Sequence, residues 1–288
     1  MSSVAIVGPG GVGGLLGGVL TRAGHDVVYV ARPETAAALN EGGLRVHSVQ
    51  FGDFEVPARA VQTLSAPVDL AVVAPKATSL GAALDRVPPE LVDVMLPLLN
   101  GVGHMVALRE RYPRARVLAG SISVESTRVA PGRIEHTSPF CTVQAAGPGA
   151  GLVAEVLGGA GFEVRVRDTE AGVLWDKMAL LAPMALITTA AGAGIGPARE
   201  GRRDDLEQMV VEVAAVANAS GATVDPAAIL AIVAQLPPGM KSSMLRDAEA
   251  GRPLELDAIG GSVLDAGAEL GIATPVTARV VAELRAKA

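Results

Sequence analysis

The chain has 288 residues and a mass of 29.1 kDa, enough for one large domain or two ordinary ones. Half of the residues are hydrophobic, 19% are charged and the mean hydropathy is +0.40, which excludes intrinsic disorder. The formal net charge of −6 argues against nucleic acid or an anionic membrane as partner, and a lone cysteine, Cys141, which cannot form an intrachain disulfide, points to a reducing, cytoplasmic setting.

In chain order, VAIV (4–7) is a short buried strand, followed by a glycine turn and an apolar helix pattern to Ala23. Residues 1–21 carry no charge, but they lack the basic start of a signal peptide, and glycines interrupt the run. GHDVVYVA predicts a turn and a second strand ending at Ala31, and residues 33–41 a helix with Pro33 in its first turn. LRVHSV and FEVPARAV read as a β pair across FGD. DLAVVA (69–74) is a further buried strand, with a helix near 79–86. VMLPLL (94–99) leads through the turn NGVG into a helix reaching Tyr112, and strands follow near 117–124, 133–136 and 140–146. A helix near 151–160 and the strand FEVRV (162–166) close this half. From Asp168 the period is helical: 171–190, 204–219, 226–235, 254–270 and 276–286. Met178–Ala198 is uncharged and long enough to span a bilayer, but its proline, glycines and threonines suit a buried central helix better. The fold expected is α/β: a Rossmann-type doubly wound sheet domain over 1–167, then an all-helical substrate and catalytic domain over 168–288.

The sharpest motif is Gly8-Pro-Gly10-Gly11-Val12-Gly13, a G-x-G-x-x-G between a strand and a helix. In that context Gly8 permits the tight turn, Gly10 lets a pyrophosphate approach the backbone, and Gly13 lets helix and strand pack closely. The phosphate would sit on free N–H groups at the helix start. An NAD site wants an acidic residue at the end of the second strand; this chain has Arg32, which suits the 2′-phosphate of NADP. Lys76, in VVAPK, follows another strand and is a second phosphate contact in this reading.

Lys177 opens a helix in which the next charged residue is Arg199. A lysine beside so much apolar surface can have a depressed pKa and donate a proton. Asn100, in LLNGVG, stands at a strand end, where its amide could bridge cofactor and substrate; Asn-Gly is also a plain turn signal. Ser243 in KSSML and Glu255 in RPLELD lie around a helix start, and His104 after the NGVG turn reads as structural.

Taken in order, GPGGVG, Arg32, VVAPK, LLNGVG, VAPGRIEH (129–136), WDKM, KSSMLRD, RPLELDAIGG and LGIATPVT resemble the ketopantoate reductase (2-dehydropantoate 2-reductase) family over nearly the whole chain. The resemblance implies NADPH-dependent reduction of a branched 2-oxo acid. It makes Lys177 the general acid, Asn100 a substrate or cofactor contact, Ser243 the partner of the substrate carboxylate, and Glu255 the residue that orients lysine or substrate. The family usually carries asparagine four and eight residues after the lysine. Here those positions are Leu181 and Ala185, with Thr188 beyond them on the same helix face. Ketopantoate itself is therefore open to question, and a less polar 2-oxo acid is the alternative. Two other readings are a β-hydroxyacid-dehydrogenase-like oxidoreductase and a non-catalytic NADP sensor. The site is expected in the cleft between the two domains, without a metal, and a homodimer is the assembly considered.

Overall fold

The computed structural model describes residues 1–287. Two compact units are present: Met1–Leu99 with His104–Glu170, and Asn100–Gly103 with the residues from Ala171 onward.

The first unit contains β1 (Ser3–Val7), α1 (Gly11–Arg22), β2 (Asp26–Val30), α2 (Pro33–Gly42), β3 (Leu44–Ser48), β4 (Phe54–Val56), β5 (Arg59–Val61), β6 (Val68–Val73), α3 (Leu80–Leu84), β7 (Val92–Pro97), α4 (His104–Arg111), β8 (Arg116–Val117), β9 (Ala119–Ser123), β10 (Ser126–Ala130), β11 (Arg133–His136), β12 (Thr142–Ala146), α5 (Ala150–Gly159) and β13 (Glu163–Val166). Its main sheet has six strands, all parallel, in the order β5-β2-β1-β6-β7-β8. Val4–Val7 and Leu70–Val73 are fully buried, as central strands of a parallel sheet are. The strand order reverses between β1 and β6, and a ligand crevice is expected beyond the carboxyl ends of strands at such a point.

Three segments of this unit depart from the sequence reading, one of them the run near 117–124, which divides into β8 of the main sheet and β9 of another. FEVPARAV is not one strand. It breaks at Pro57, which offers no N–H, so β4 pairs antiparallel with β3 while β5 joins the edge of the main sheet beside β2. β10 was not anticipated, because its residues are largely exposed and carry no alternating apolar pattern. It belongs to a second sheet, β10-β11-β3-β4; β13, β12 and β9 form a third.

The second sheet explains the composition of α1, where five of twelve residues are glycine, at roughly 1 kcal/mol each relative to alanine. The helix is clamped between two sheets. A Cβ at Gly17 would lie 2.4 Å from the Tyr29 ring on β2, and one at Gly14 2.5 Å from Ile134 on β11. Helical entropy is given up for close approach on opposite faces.

The second unit is helical: α6 (Glu170–Ala191, its first residue belonging to the first unit), α7 (Ile195–Gly201), α8 (Arg203–Ala219), α9 (Pro226–Gln235), α10 (Ser243–Glu249), α11 (Ser262–Leu270) and α12 (Pro275–Arg285), with a π-helical turn at Asp257–Gly261 leading into α11. α7 and α10 were missed in the sequence, both being only seven residues long. α6 is long and apolar enough to cross a membrane, but 67% of its apolar window is buried, with Met178, Ala182 and Leu186 in the unit's core. The buried Glu212 carboxylate on α8 accepts N–H bonds from Val276 and Thr277, capping the start of α12.

In the first unit, fully buried His136 ties three segments together. Its Nδ1 is 2.8 Å from Ser48 Oγ, and its Nε2 is 3.1 Å from Ser138 Oγ and 3.3 Å from the Phe140 carbonyl. Burial pushes its pKa below 6.5, with the Phe140 carbonyl opposing. A depressed histidine pKa means that the unfolded chain binds the proton first. The stability it contributes is present above about pH 6.5 and is lost as the pH falls toward the folded-state pKa. Urea midpoints measured from pH 7.5 down to pH 5 should therefore drop more steeply for the wild type than for His136→Gln, and parallel slopes would refute the role.

Candidate active site

The glycine turn sits at the point where the strand order reverses. Gly8 has φ +81°, and a Cβ there would lie 2.9 Å from the backbone nitrogen of Pro75, just beyond β6. Only glycine accommodates both conditions. Gly10 is the N-cap of α1, and a Cβ built on it meets nothing within 4 Å, so its outer side is open to a ligand. Gly13 packs on β1, with a Cβ falling 2.6 Å from the Gly8 carbonyl. Gly11 answers to a neighbour the sequence reading did not contain. Its Cβ would sit 2.1 Å from the Ser126 carbonyl of β10, and Ser126 Oγ donates to the Gly11 carbonyl at 2.9 Å. The N–H groups of Gly11, Val12 and Gly13 head a 12-residue helix that has no side-chain cap. Arg32 follows β2 as the N-cap residue of α2, exposed and without a hydrogen-bond or ion-pair partner among the described residues; Lys76 is exposed after β6. An open glycine turn, uncapped helix N–H groups and cations beyond the two strands that flank β1 fit a dinucleotide phosphate site.

Within the second unit, three of the expected residues meet. Lys177 Nζ donates to Asn100 Oδ1 at 2.9 Å, and Asn100 Nδ2 donates to Glu255 Oε2 at 3.2 Å. The amide can have only this orientation, because an ammonium has no acceptor and a carboxylate no donor. Asn100 is brought there by Gly101, whose φ is +85° and whose Cβ would collide with the Ala258 carbonyl at 2.1 Å. The NGVG segment thus lies flush on the π-helical turn that follows Glu255. Glu255 is 8% exposed and Lys177 only partly exposed. Burial lowers the Lys177 pKa from 10.5 to about 8, against the pull of the Glu255 charge.

The other expected residues lie differently. Ser243 is exposed at the first position of α10. Its neighbour Ser242, overlooked in the sequence, is the buried cap of α10, accepting from the Leu245 N–H and lying 2.8 Å from Thr188 Oγ1. Leu181 is partly buried, whereas Ala185 and Thr188 are fully buried. The Thr188 hydroxyl donates to the Met184 carbonyl at 2.7 Å, so it is a structural group of the helix core rather than the accessible hydroxyl expected. Among the described residues, no cluster of three or more His, Cys, Asp or Glu side chains is placed to hold a metal.

The family model described as ketopantoate reductase PanE/ApbA matches residues 4–148, and the model of its C-terminal part matches residues 171–288. The chain belongs to the ketopantoate reductase family. It is an oxidoreductase of the type that acts on a CH–OH group. The uncharacterized oxidoreductase YkpB of Bacillus subtilis is 31% identical, with 97% of each chain covered. The 2-dehydropantoate 2-reductase of Caulobacter vibrioides is 31% identical over the whole of both chains. A D-mandelate dehydrogenase, solved with NADH and anilino(oxo)acetate, is 22% identical with a TM-score of 0.87, covering 99% of this chain and 98% of its own; it shares the fold.

The ionisation of Lys177 is measurable without turnover. NMR of selectively labelled lysine side chains should show one ammonium titrating near pH 8 that is absent in Lys177→Met. In Glu255→Gln the same resonance should titrate lower, because the opposing charge is gone. Titration above pH 10 in the wild type would contradict the burial argument.

Proposed function

We propose that the protein reduces the carbonyl of a 2-oxo acid to the alcohol, with the hydride drawn from NADPH and the proton from Lys177. The observation that carries this reading is the Lys177–Asn100–Glu255 chain of hydrogen bonds, which holds an ammonium of lowered pKa at a fixed place. Gly8, Gly10, Val12 and Gly13 would hold the dinucleotide backbone, with Arg32 and Lys76 on the 2′-phosphate. When bound, the reduced nicotinamide supplies a hydride to the carbonyl carbon.

The chain's own residues do the rest. As negative charge develops on the carbonyl oxygen, the Lys177 ammonium stabilises it and then transfers a proton to it. Asn100 Oδ1 takes one of the three N–H groups and so fixes the direction of the others. Glu255 holds the amide rather than the lysine, which orients the acid while leaving its pKa close to the working pH. Ser243, exposed beside the α10 cap, would donate to the substrate carboxylate. The neutral amine left after transfer regains a proton from water.

The test is direct. Lys177→Ala should lower kcat for reduction by roughly 10²–10⁴ while NADPH still binds, as a positioned acid contributes that much. Full activity in this variant would remove the mechanism. Reduction by the wild type should decline above about pH 8, because the donor must be protonated.

Cofactor choice is tested separately, with NADH in a parallel arm because the D-mandelate dehydrogenase of the same fold was solved with it. Arg32→Ala should weaken NADPH binding and leave NADH binding nearly unchanged. An equal loss for both would refute the 2′-phosphate contact.

A further inference from the structure

We infer that the 2-oxo acid carries an apolar substituent on its carbonyl carbon, branched aliphatic or aryl and without a hydroxyl, and that Leu181 and Met184 select it. This rests on the reductase reading and adds the substrate class to it. The argument is an accounting of polar atoms along the lysine face of α6. Residues three, four and seven positions after Lys177 share its face, and these are Leu180, Leu181 and Met184. All three are partly buried side chains that pack on the core of the second unit. They offer no donor and no acceptor beyond a thioether.

The hydroxyl further along the helix is already used. Thr188 is fully buried and donates to the Met184 carbonyl. That leaves Ser242 as the donor in the Thr188–Ser242 pair, and Ser242 Oγ in turn accepts the Leu245 N–H. Both hydroxyl protons are therefore spent inside the unit. Ala185 is fully buried and has no polar atom to give.

In this reading the substrate's polar groups meet the Lys177 ammonium, the second Asn100 N–H and the exposed Ser243 hydroxyl. These match the carbonyl oxygen and the carboxylate that every 2-oxo acid possesses, whereas the face formed by Leu180, Leu181 and Met184 has no side-chain donor for a hydroxyl on the substituent. A hydroxyl laid along Leu180, Leu181 and Met184 would lose its water without a replacement partner. A mismatch of that kind is worth on the order of tenfold to a hundredfold in kcat/KM.

Trimethylpyruvate and ketopantoate form a matched pair, since ketopantoate is trimethylpyruvate with one methyl hydroxylated. Wild-type kcat/KM should favour trimethylpyruvate by about tenfold or more, with phenylglyoxylate and the branched-chain 2-oxo acids also turned over. Leu181→Asn should narrow or invert the ratio, mainly by improving kcat/KM for ketopantoate. Met184→Gln provides a second reading should Leu181→Asn prove unfolded by circular dichroism. Equal or better wild-type use of ketopantoate overturns the inference and leaves the reductase reading standing. An unchanged ratio in both folded variants overturns the assignment to Leu181 and Met184. Absence of turnover for every acid, with NADPH and with NADH, overturns both readings together.

Discussion

An ammonium held in poorly solvated surroundings by an amide, and not directly by a carboxylate, is the constraint on which the second unit depends. Burying a lysine charge is costly; the fall in the Lys177 pKa from 10.5 to about 8 corresponds to roughly 3 kcal/mol against the charged form. A carboxylate in contact would repay that cost and drive the pKa back up, making a poor proton donor at neutral pH. Asn100 between the two charges keeps the geometry of a salt bridge while attenuating its electrostatics. The arrangement gives up stability and leaves the Lys177 ammonium with a pKa of about 8.

That arrangement needs backbone precision, and small residues supply it. Gly101 lets the chain lie against the Ala258 carbonyl, inside a π-helical turn that offsets Glu255 from the regular register of α11. The packing of Gly260 works toward the same end, since a Cβ there would fall 2.5 Å from Val281 on α12. In the first unit, the glycines of α1 serve two masters. Those at its start shape the turn after β1, and those further along allow two sheets to close on the helix.

Much of this was legible in the sequence where a single residue type carries a single physical demand. The glycine fingerprint was readable because close backbone approach excludes every side chain, and Lys177 because it is the last charge before a long apolar run. The parallel sheet and the helical second half followed from hydrophobic periodicity. Contacts that span the chain were legible only through the family resemblance and not from local pattern. The Asn100–Glu255 bond joins residues 155 positions apart, and no local pattern announces it. β10 was invisible because an exposed edge strand carries little apolar signal, and with it went the true neighbour of Gly11. Thr188 was misjudged because helix periodicity gives a face but not whether a hydroxyl on it is already engaged with Ser242.

The assignment of Asn100–Gly103 to the second unit has a consequence for how this protein can be taken apart. The polypeptide passes between the units three times, after Leu99, after Gly103 and after Glu170, instead of once. A fragment beginning at Ala171 would keep the lysine and the glutamate and lose the amide that joins them. Grafting the helical half of a relative onto this first half would equally pair a foreign glutamate with the native asparagine. The modular boundary that a linear diagram suggests is thus not a functional seam, and recombination between family members has to carry a four-residue insert from the middle of one half along with the other.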